Sequence, residues 1–419
     1  MSLVKNSIYN IVGFAIPTIF AIPCLGILSR WLSMEEFGLF TLSFAILGYA
    51  SIFDGGLSRA VTREIAIYRN NNIEKIKIIG TSNFFIFIFS LIASLSLFIF
   101  ADNLADFLKV SSLKYDLVVD SFKLLSISIP LYLFNLIWIG YLEGVENFFI
   151  VNLQKSIGNT LIVLFPVLFC MYEKNIFFAF LGIFIGRLIS FLITLFICRI
   201  ELIRSKLKID KFVAVRLFKF GGWITVSNLV SPLMVHMDKI IVSNILGANK
   251  VSAYSAPAEG VSRLVNVPIA ITKVLFPKIS AAKTLKEQKE LETKSYIIIA
   301  LICAPIVVIC YVFAKEIMAI WMGEAYGVAS ENVFKILIIG FYFNALAQIP
   351  YTILQSKGFS KYTAYIHLLE VVPFLVAVYF ATEAYGLIGA ALVWSARVCI
   401  DLILLLFLNY KVRGILIND

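Results

Sequence analysis

Twelve runs of mostly apolar residues, each near the length that crosses a bilayer, dominate this chain. A spanning helix needs about 20 such residues. Runs of that kind lie near 8–30, 37–58, 78–101, 117–141, 153–172 and 176–199. After a basic break, six more lie near 220–246, 252–275, 294–314, 333–355, 363–382 and 386–409. Backbone groups in hydrocarbon must bond within their own segment, so runs of this length predict helices. The expected fold is an all-α integral membrane protein of about twelve transmembrane helices. Composition agrees: 60% of residues are hydrophobic and 15% charged, whereas soluble domains are about a quarter charged. The short N-terminal stretch before the first run reads as the start of a retained span, not a cleaved signal.

Lysine and arginine in the loops set the orientation. Arg59, Arg63, Arg69, Lys75 and Lys77 share one side with the stretch Arg199–Lys219 and the cluster Lys278, Lys283, Lys286, Lys289 and Lys294. The alternate loops hold Arg30, Lys109, Lys114, Lys174, Lys250 and Lys315. An even number of spans then puts both termini on the cytoplasmic face. The midpoint stretch 200–219 is the longest basic segment and reads as a linker, an amphipathic helix on the membrane surface. The expected organisation is an N-terminal lobe 1–199, the linker 200–219 and a C-terminal lobe 220–419.

The halves resemble each other at a shift of 210–214 residues. Ser29 through Phe40 matches Ser243 through Tyr254, Phe122-Lys123-Leu124-Leu125 matches Phe334-Lys335-Ile336-Leu337, and Gly186-Arg187-Leu188 matches Ala396-Arg397-Val398. Six spans per half give both halves one orientation, a parallel repeat of the kind transporters use. All eleven prolines fall within or beside the apolar runs, with Pro257 and Pro268 both in the eighth. Such prolines kink helices where neighbours satisfy the freed carbonyl.

Charges inside the runs are costly, about 2.5–3.5 kcal/mol each at mid-depth, so they face partners or cavities. Arg187, Arg263 and Arg397 lie near the centres of spans six, eight and twelve. Glu259 and Asp401 stand one helical turn from Arg263 and Arg397, the spacing of an ion pair. Asp238-Lys239 lies in span seven, Asp54, Arg59 and Arg63 cluster at the inner end of span two, and Lys273 ends span eight. Two readings stand: charges that lock helices together, or a cationic cavity for an anionic ligand, for which arginine's planar fork suits phosphate or carboxylate. His367 and Glu370 in span eleven form a pair able to relay a proton or to satisfy one another. The six cysteines lie in apolar surroundings and form no CxxC pair. No metal site, cofactor motif, nucleotide loop or hydrolase motif is present, and the basic excess follows the loops, not a nucleic-acid face.

Several motifs carry a family resemblance. Asp54-Gly55-Gly56-Leu57-Ser58-Arg59-Ala60 with Arg63, Phe220-Gly221, Met237-Asp238-Lys239-Ile240-Ile241, Leu246-Gly247, Ala253-Tyr254-Ser255, Phe276-Pro277-Lys278-Ile279-Ser280, and the paired turns Leu142-Glu143-Gly144-Val145 and Leu354-Gln355-Ser356-Lys357-Gly358 stand in order along the whole chain. Together they resemble the O-antigen flippase group of polysaccharide transporters, within the multidrug/oligosaccharidyl-lipid/polysaccharide flippase superfamily.

The resemblance implies two pseudo-symmetric six-helix lobes around a central cleft lined by spans one, two, seven and eight. It implies a bacterial inner-membrane protein, not an enzyme. Its cargo would be undecaprenyl-diphosphate-linked oligosaccharide, moved from the cytoplasmic to the periplasmic leaflet by alternating access. A polymerase and a chain-length regulator of the same pathway are the implied partners, and H+ or Na+ the coupling ion. On this reading Arg263 is the first candidate for the diphosphate, with Arg59, Arg63, Lys239 and Lys273 beside it. Asp54, Asp238 and Glu259 are the coupling candidates. Arg187, Arg397 and Asp401 brace each lobe or line the cavity. The related lipid II flippases carry basic residues within their first span, whereas this one has only Lys5 at its edge. The alternatives are a small-molecule or drug antiporter of the same architecture, which mid-depth arginines disfavour, and a membrane polymerase, which lacks the large outer loop it would need.

Overall fold

The computed structural model describes residues 3–205, 209–281, 284–357 and 359–418, with side chains at all of these except 3–15, 222–232, 274, 276–278, 280–281, 285, 360 and 412–418. Lys206, Lys208, Lys283 and Gly358 fall outside the described residues, and Lys5, Phe276, Pro277, Lys278 and Ser280 outside the described side chains.

Fifteen α-helices are present among the described residues. The first eight are α1 (Leu3–Trp31), α2 (Met34–Ala50), α3 (Leu57–Ile67), α4 (Asn72–Ile99), α5 (Ala101–Phe107), α6 (Tyr115–Gly144), α7 (Phe148–Cys170) and α8 (Ile176–Ser205). The rest are α9 (Lys211–Leu246), α10 (Ala248–Leu264), α11 (Asn266–Ala281), α12 (Leu285–Val312), α13 (Ala314–Met322), α14 (Glu324–Ser356) and α15 (Ser360–Asn418). Eight helical stretches are long and apolar enough to cross a membrane. One of them, Lys361–Lys411, is two spans joined at Gly386, whose φ of 63° breaks the helix. Rows of large apolar side chains stand exposed, as Phe87, Leu91, Leu95 and Phe98 do on α4 and Ile298, Leu301, Ile302 and Ile309 on α12. Patches that long suit hydrocarbon, not water. The chain is an all-helical membrane protein.

The chain divides into two compact units, Met1–His236 and Met237–Asp419. The division falls inside α9, not in the basic stretch 200–219. Among the described residues of that stretch, α8 runs on to Ser205 and α9 starts at Lys211. Asp210 restarts the helix, its Oδ1 accepting from the backbone N–H of Phe212 (3.0 Å) and Val213 (3.2 Å), as an N-cap does. Phe212 and Val215 are exposed beside Lys211 and Lys219, so the amphipathic character sits on the first turns of α9.

The repeat is visible in element order. At a shift of 213, Asn72 of α4 falls on Leu285 of α12 and Ala101 of α5 on Ala314 of α13. At 214, α2 falls on α10, each of 17 residues. The turn after α6 has Glu146 N–H bonding Glu143 O and Asn147 N–H bonding Leu142 O, both at 3.0 Å, with Glu146 at φ 62°. That is a Schellman closure with a non-glycine residue in the left-handed position. After α14 the matching bond runs from Phe359 N–H to Leu354 O at 2.9 Å.

Packing in lipid has no hydrophobic drive and depends on close approach and polar ties. In the first unit, a Cβ on Gly140 would stand 2.7 Å from Ser58 O, so only glycine lets α3 lie against α6. Gln154 Nε2 donates to Ser190 Oγ (3.0 Å) and Thr194 Oγ1 (2.8 Å), tying α7 to α8. In the second unit, Ser395 Oγ of α15 donates to Ile336 O of α14 at 2.9 Å.

Candidate functional site

In the first unit the helix of span two stops short and restarts. Ser51–Asp54 form a 3-10 turn, Gly55 and Gly56 take φ of 57° and 71°, and α3 follows. The Asp54 carboxylate accepts from Ser58 N–H (3.1 Å) and Ser58 Oγ (2.7 Å), capping the new helix with a negative charge at its positive end. Gly56 abuts the Gly221 carbonyl, where any Cβ would collide. The Asp54-Gly55-Gly56 motif and the Phe220-Gly221 motif, 165 residues apart by numbering, are therefore two sides of one backbone contact.

This restart opens a polar cavity of about 400 Å³. Ser51, Asp54, Ser58, Arg59 and Thr62 line one side, and Tyr132, Gly140, Glu143 and Lys155 the other. Arg59 is exposed and, among the described residues, takes part in no ion pair. Its guanidinium is available to an oxyanion, with hydroxyls beside it for sugar or phosphate oxygens. Lys155 is held at the rim by Glu143, 2.6 Å away.

Arg63 is committed elsewhere. It pairs with Glu64 at 2.9 Å and lies over the Phe220 ring at 4.6 Å. Glu64, nearly fully buried, also faces Arg216 Nε at 3.2 Å, and Arg216 reaches Glu74 at 2.7 Å and the Tyr68 hydroxyl at 2.7 Å. Arg63 and Arg216 thus fasten the start of α9 to α3 and α4. Arg187 lies 4.6 Å from the centroid of Tyr132. Tyr132 is the cavity wall and Arg187 stands against it, off the lining.

The second unit holds a buried ion cluster. Lys239 Nζ donates to Glu259 Oε1 at 2.6 Å, and Arg263 reaches Glu259 Oε2 at 3.6 Å. Asp238 accepts from the Lys239 N–H (2.8 Å) and from the Tyr254 hydroxyl (2.6 Å). Lys239, expected to face an anionic ligand, already holds one in Glu259. Glu259 and Asp238, expected as coupling acids, are each satisfied by protein donors. Arg263 differs: its side chain is 28% exposed, its pairing is long, and its buried Nε has no hydrogen-bond partner.

Span eight is broken at the turn that carries Arg263. α10 ends at Leu264 and α11 begins at Asn266. Pro268 has no N–H to return to the Leu264 carbonyl, which ends the helix there. The break matches the one after Ala50 at the repeat shift of 214, which also sets Arg59 on Lys273. Lys273 is exposed on α11. Broken helices at membrane depth form where a cavity takes up the freed backbone groups.

Near the end of the chain the expected Arg397–Asp401 pair does not form. Arg397 lies over the Phe374 ring at 5.3 Å, and Asp401 Oδ1 faces His367 Nε2 at 3.5 Å. An i,i+4 spacing permits a pair, but here α15 folds its first half back on its second and offers both groups other partners. His367 and Glu370 are likewise not bonded to each other: His367 turns to Asp401, and both Glu370 oxygens are without a hydrogen-bond partner. Tyr132, Glu143, Lys155 and Tyr254 were not singled out as site residues by sequence. Glu143 and Tyr254 stood only within family or repeat motifs, and Tyr132 and Lys155 in no motif; their place on other helices brings all four in.

Residues 3–283 match the family described as polysaccharide biosynthesis protein. A Shigella flexneri protein described as an O-antigen transporter is 45% identical over 418 residues, covering 100% of both chains. The succinoglycan biosynthesis transport protein ExoT of Rhizobium meliloti is 24% identical over 312 residues, 72% of this chain and 59% of that one. Among solved structures, an inward-facing multidrug resistance transporter of the MATE family, MOP superfamily, superposes with a TM-score of 0.77 at 14% identity, over 100% of this chain and 96% of that one. A MOP superfamily transporter of Pyrococcus furiosus gives 0.68 at 13% identity, over 97% and 94%. The helices are therefore arranged in the MOP superfamily fold, and the chain belongs to the polysaccharide biosynthesis protein family.

Proposed function

We propose that this chain is a flippase for lipid-linked oligosaccharide, an O-antigen repeat unit or a close relative carried on undecaprenyl diphosphate. It moves this cargo by alternating access from the cytoplasmic to the periplasmic leaflet of a bacterial inner membrane, with both termini cytoplasmic. The observation that carries the reading is the end-to-end match, at 45% identity, to a protein described as an O-antigen transporter. Orientation rests on the uneven loop lysines and arginines.

The geometry supports a head-group role for Arg59 and Arg263. Arg59 stands unpaired over a polar cavity, and Arg263 keeps an open side of its guanidinium at a helix break. A diphosphate takes bidentate contacts from such groups, while the surrounding hydroxyls suit sugar oxygens. Lys273, exposed on α11, stands at the repeat position of Arg59 and is a further head-group candidate. Lys239 and Arg63 are positioning residues, since each is held by an acid of the protein. Asp54, Asp238 and Glu259 serve the fold of the site before any coupling role.

A deletion strain complemented with variants tests this, with surface polysaccharide measured at matched protein level. Arg59→Ala and Arg263→Ala are expected to lower display strongly, and Arg263→Lys to restore part of it. Full display by a strain carrying both alanine substitutions would overturn the head-group assignment. The drug-antiporter alternative rests on fold similarity alone, and unchanged drug sensitivity of the deletion strain counts against it.

A further inference from the structure

Two acids of the second unit are buried away from the cluster around Lys239: Glu292, which accepts from Asn409 Nδ2 at 3.3 Å, and Glu370. Glu370 is 6% exposed, and neither of its carboxylate oxygens has a hydrogen-bond partner. It lies midway along the first half of α15, within a stretch apolar enough to cross the membrane. An ionised carboxylate so placed would lack both water and donors, a state that costs several kcal/mol in low dielectric.

A charge count leads the same way. Within the apolar runs of α9, α10 and α15, the buried or half-buried acids are Asp238, Glu259, Glu370 and Asp401. The bases are Lys239, Arg263 and Arg397. Four acids against three bases leave one negative charge without a counterpart while His367 is neutral. One bound proton closes the difference. Glu370, neither of whose oxygens has a hydrogen bond or an ion-pair partner among the described residues, is the acid that needs it. Asp401 Oδ1 also lacks a hydrogen bond but stands 3.5 Å from His367 Nε2. Asp238 is bonded to Tyr254 and Glu259 to Lys239, while Asp401 faces His367.

Among the described residues, the charged groups that act on Glu370 include Asp401, Arg397 and His367. His367 and Glu370 are three residues apart on one helix face. From α14, Tyr351 stacks on the His367 ring at 6.0 Å with 8° between planes. From α9 and α10, Asp238 and Tyr254 lie within reach of Arg397. The His367 side chain is 31% exposed and Asp401 15%, so accessibility falls from the histidine inward to the glutamate.

We infer that Glu370 is a proton-binding site of the second unit, loaded and emptied through His367 and Asp401, and that it couples transport to proton movement. The coupling half rests on the flippase reading; the binding half does not. In loading, imidazolium at His367 gives its proton to a Glu370 oxygen, leaving a neutral imidazole and a carboxylic acid. His367, at its exposed side, then takes a proton from hydronium, leaving water, and Asp401 holds the imidazolium. Release runs the same transfers in reverse. No redox step or metal takes part.

Infrared spectroscopy of the purified full chain in lipid nanodiscs reads the binding half directly. At neutral pH the wild type is expected to show a protonated-carboxyl C=O stretch, lost in Glu370→Gln and kept in Asp238→Asn. His367→Gln should slow the loss of that band after a jump to alkaline pH. A band unchanged in Glu370→Gln would overturn the site. A band removed by sodium chloride at constant pH and ionic strength would assign the site to a metal cation and overturn the proton. Size-exclusion profiles show whether Glu370→Gln folds, and Glu370→Asp, which can still hold a proton, provides a second variant. In cells, Glu370→Gln at wild-type protein level is expected to lower surface polysaccharide to the deletion background. Full display would overturn coupling while leaving the infrared result to stand. A wild type that fails to restore display would instead count against the flippase reading.

Discussion

Glu259 holds two bases, Lys239 at 2.6 Å and Arg263 at 3.6 Å, and this arrangement predicts an order of variants. Glu259→Gln keeps the shape but leaves Lys239, nearly fully buried, without its ion-pair partner. Breaking a buried pair from one side costs about 3–5 kcal/mol. Taking about 3 kcal/mol, the folded-to-unfolded ratio drops by roughly 100-fold, since each 1.4 kcal/mol is about tenfold. Lys239→Met should cost less, because Arg263 remains beside Glu259 and is exposed enough to move closer. Joining both substitutions removes both charges and should recover most of the loss, since apolar replacement of a buried pair is often neutral or stabilising. Equilibrium unfolding of purified protein in mixed micelles, followed by intrinsic fluorescence, gives the four values of this cycle. Two results would refute the reasoning: Glu259→Gln no less stable than the double variant, or Lys239→Met less stable than Glu259→Gln. Either would mean that Lys239 reaches water or another acid.

Gly56→Ala should destabilise more than Gly55→Ala, although both glycines have positive φ. The left-handed conformation costs either alanine about 1–2 kcal/mol, and only at Gly56 does the new Cβ also meet the Gly221 carbonyl; thermal unfolding of the two variants checks the order. Arg216→Ala strands part of the buried Glu64 and releases Glu74; a loss of about 1–3 kcal/mol is expected, with Arg216→Lys a poor rescue because one ammonium cannot span three partners. The hydrogen bond from Arg69 to Glu146, with the charge of Arg69, holds the Glu146 carboxyl below its ordinary value of 4.5. That link is then fully present above pH 4.5 and is lost as pH falls through the lowered value; Glu146→Gln should abolish this small acid-side sensitivity in melting curves taken across that range. Because Glu146 sits at φ 62°, Glu146→Gly should be the more stable of the two at neutral pH.

The helices were legible because lipid leaves the backbone few choices. An apolar run of span length has to become a helix, and the element starts at 72 and 285 or 101 and 314 follow the repeat read from weak matches. The break in span eight was foreshadowed by Pro268, whereas Gly55-Gly56 stand in the sequence only as part of a family motif within an unbroken second run. Charge alone marked 200–219 as a linker; among the described residues of that stretch α8 runs to Ser205 and Asp210 caps the start of α9.

Which residues carry charge at depth was therefore plain from the sequence alone; what each one touches was not. Arg263 and Arg397 each have an acid one turn away, yet the first reaches Glu259 and the second lies over Phe374 while Asp401 turns to His367. Lys239 and Arg63, picked for an incoming anion, are already held by Glu259 and Glu64. Arg59 keeps its open side because Glu143, the acid across its cavity, is held by Lys155. Periodicity and run length act along one helix and survive in the sequence. The partner of a buried charge is chosen by low dielectric among groups that distant helices deliver, and only the tertiary structure brings those groups within reach.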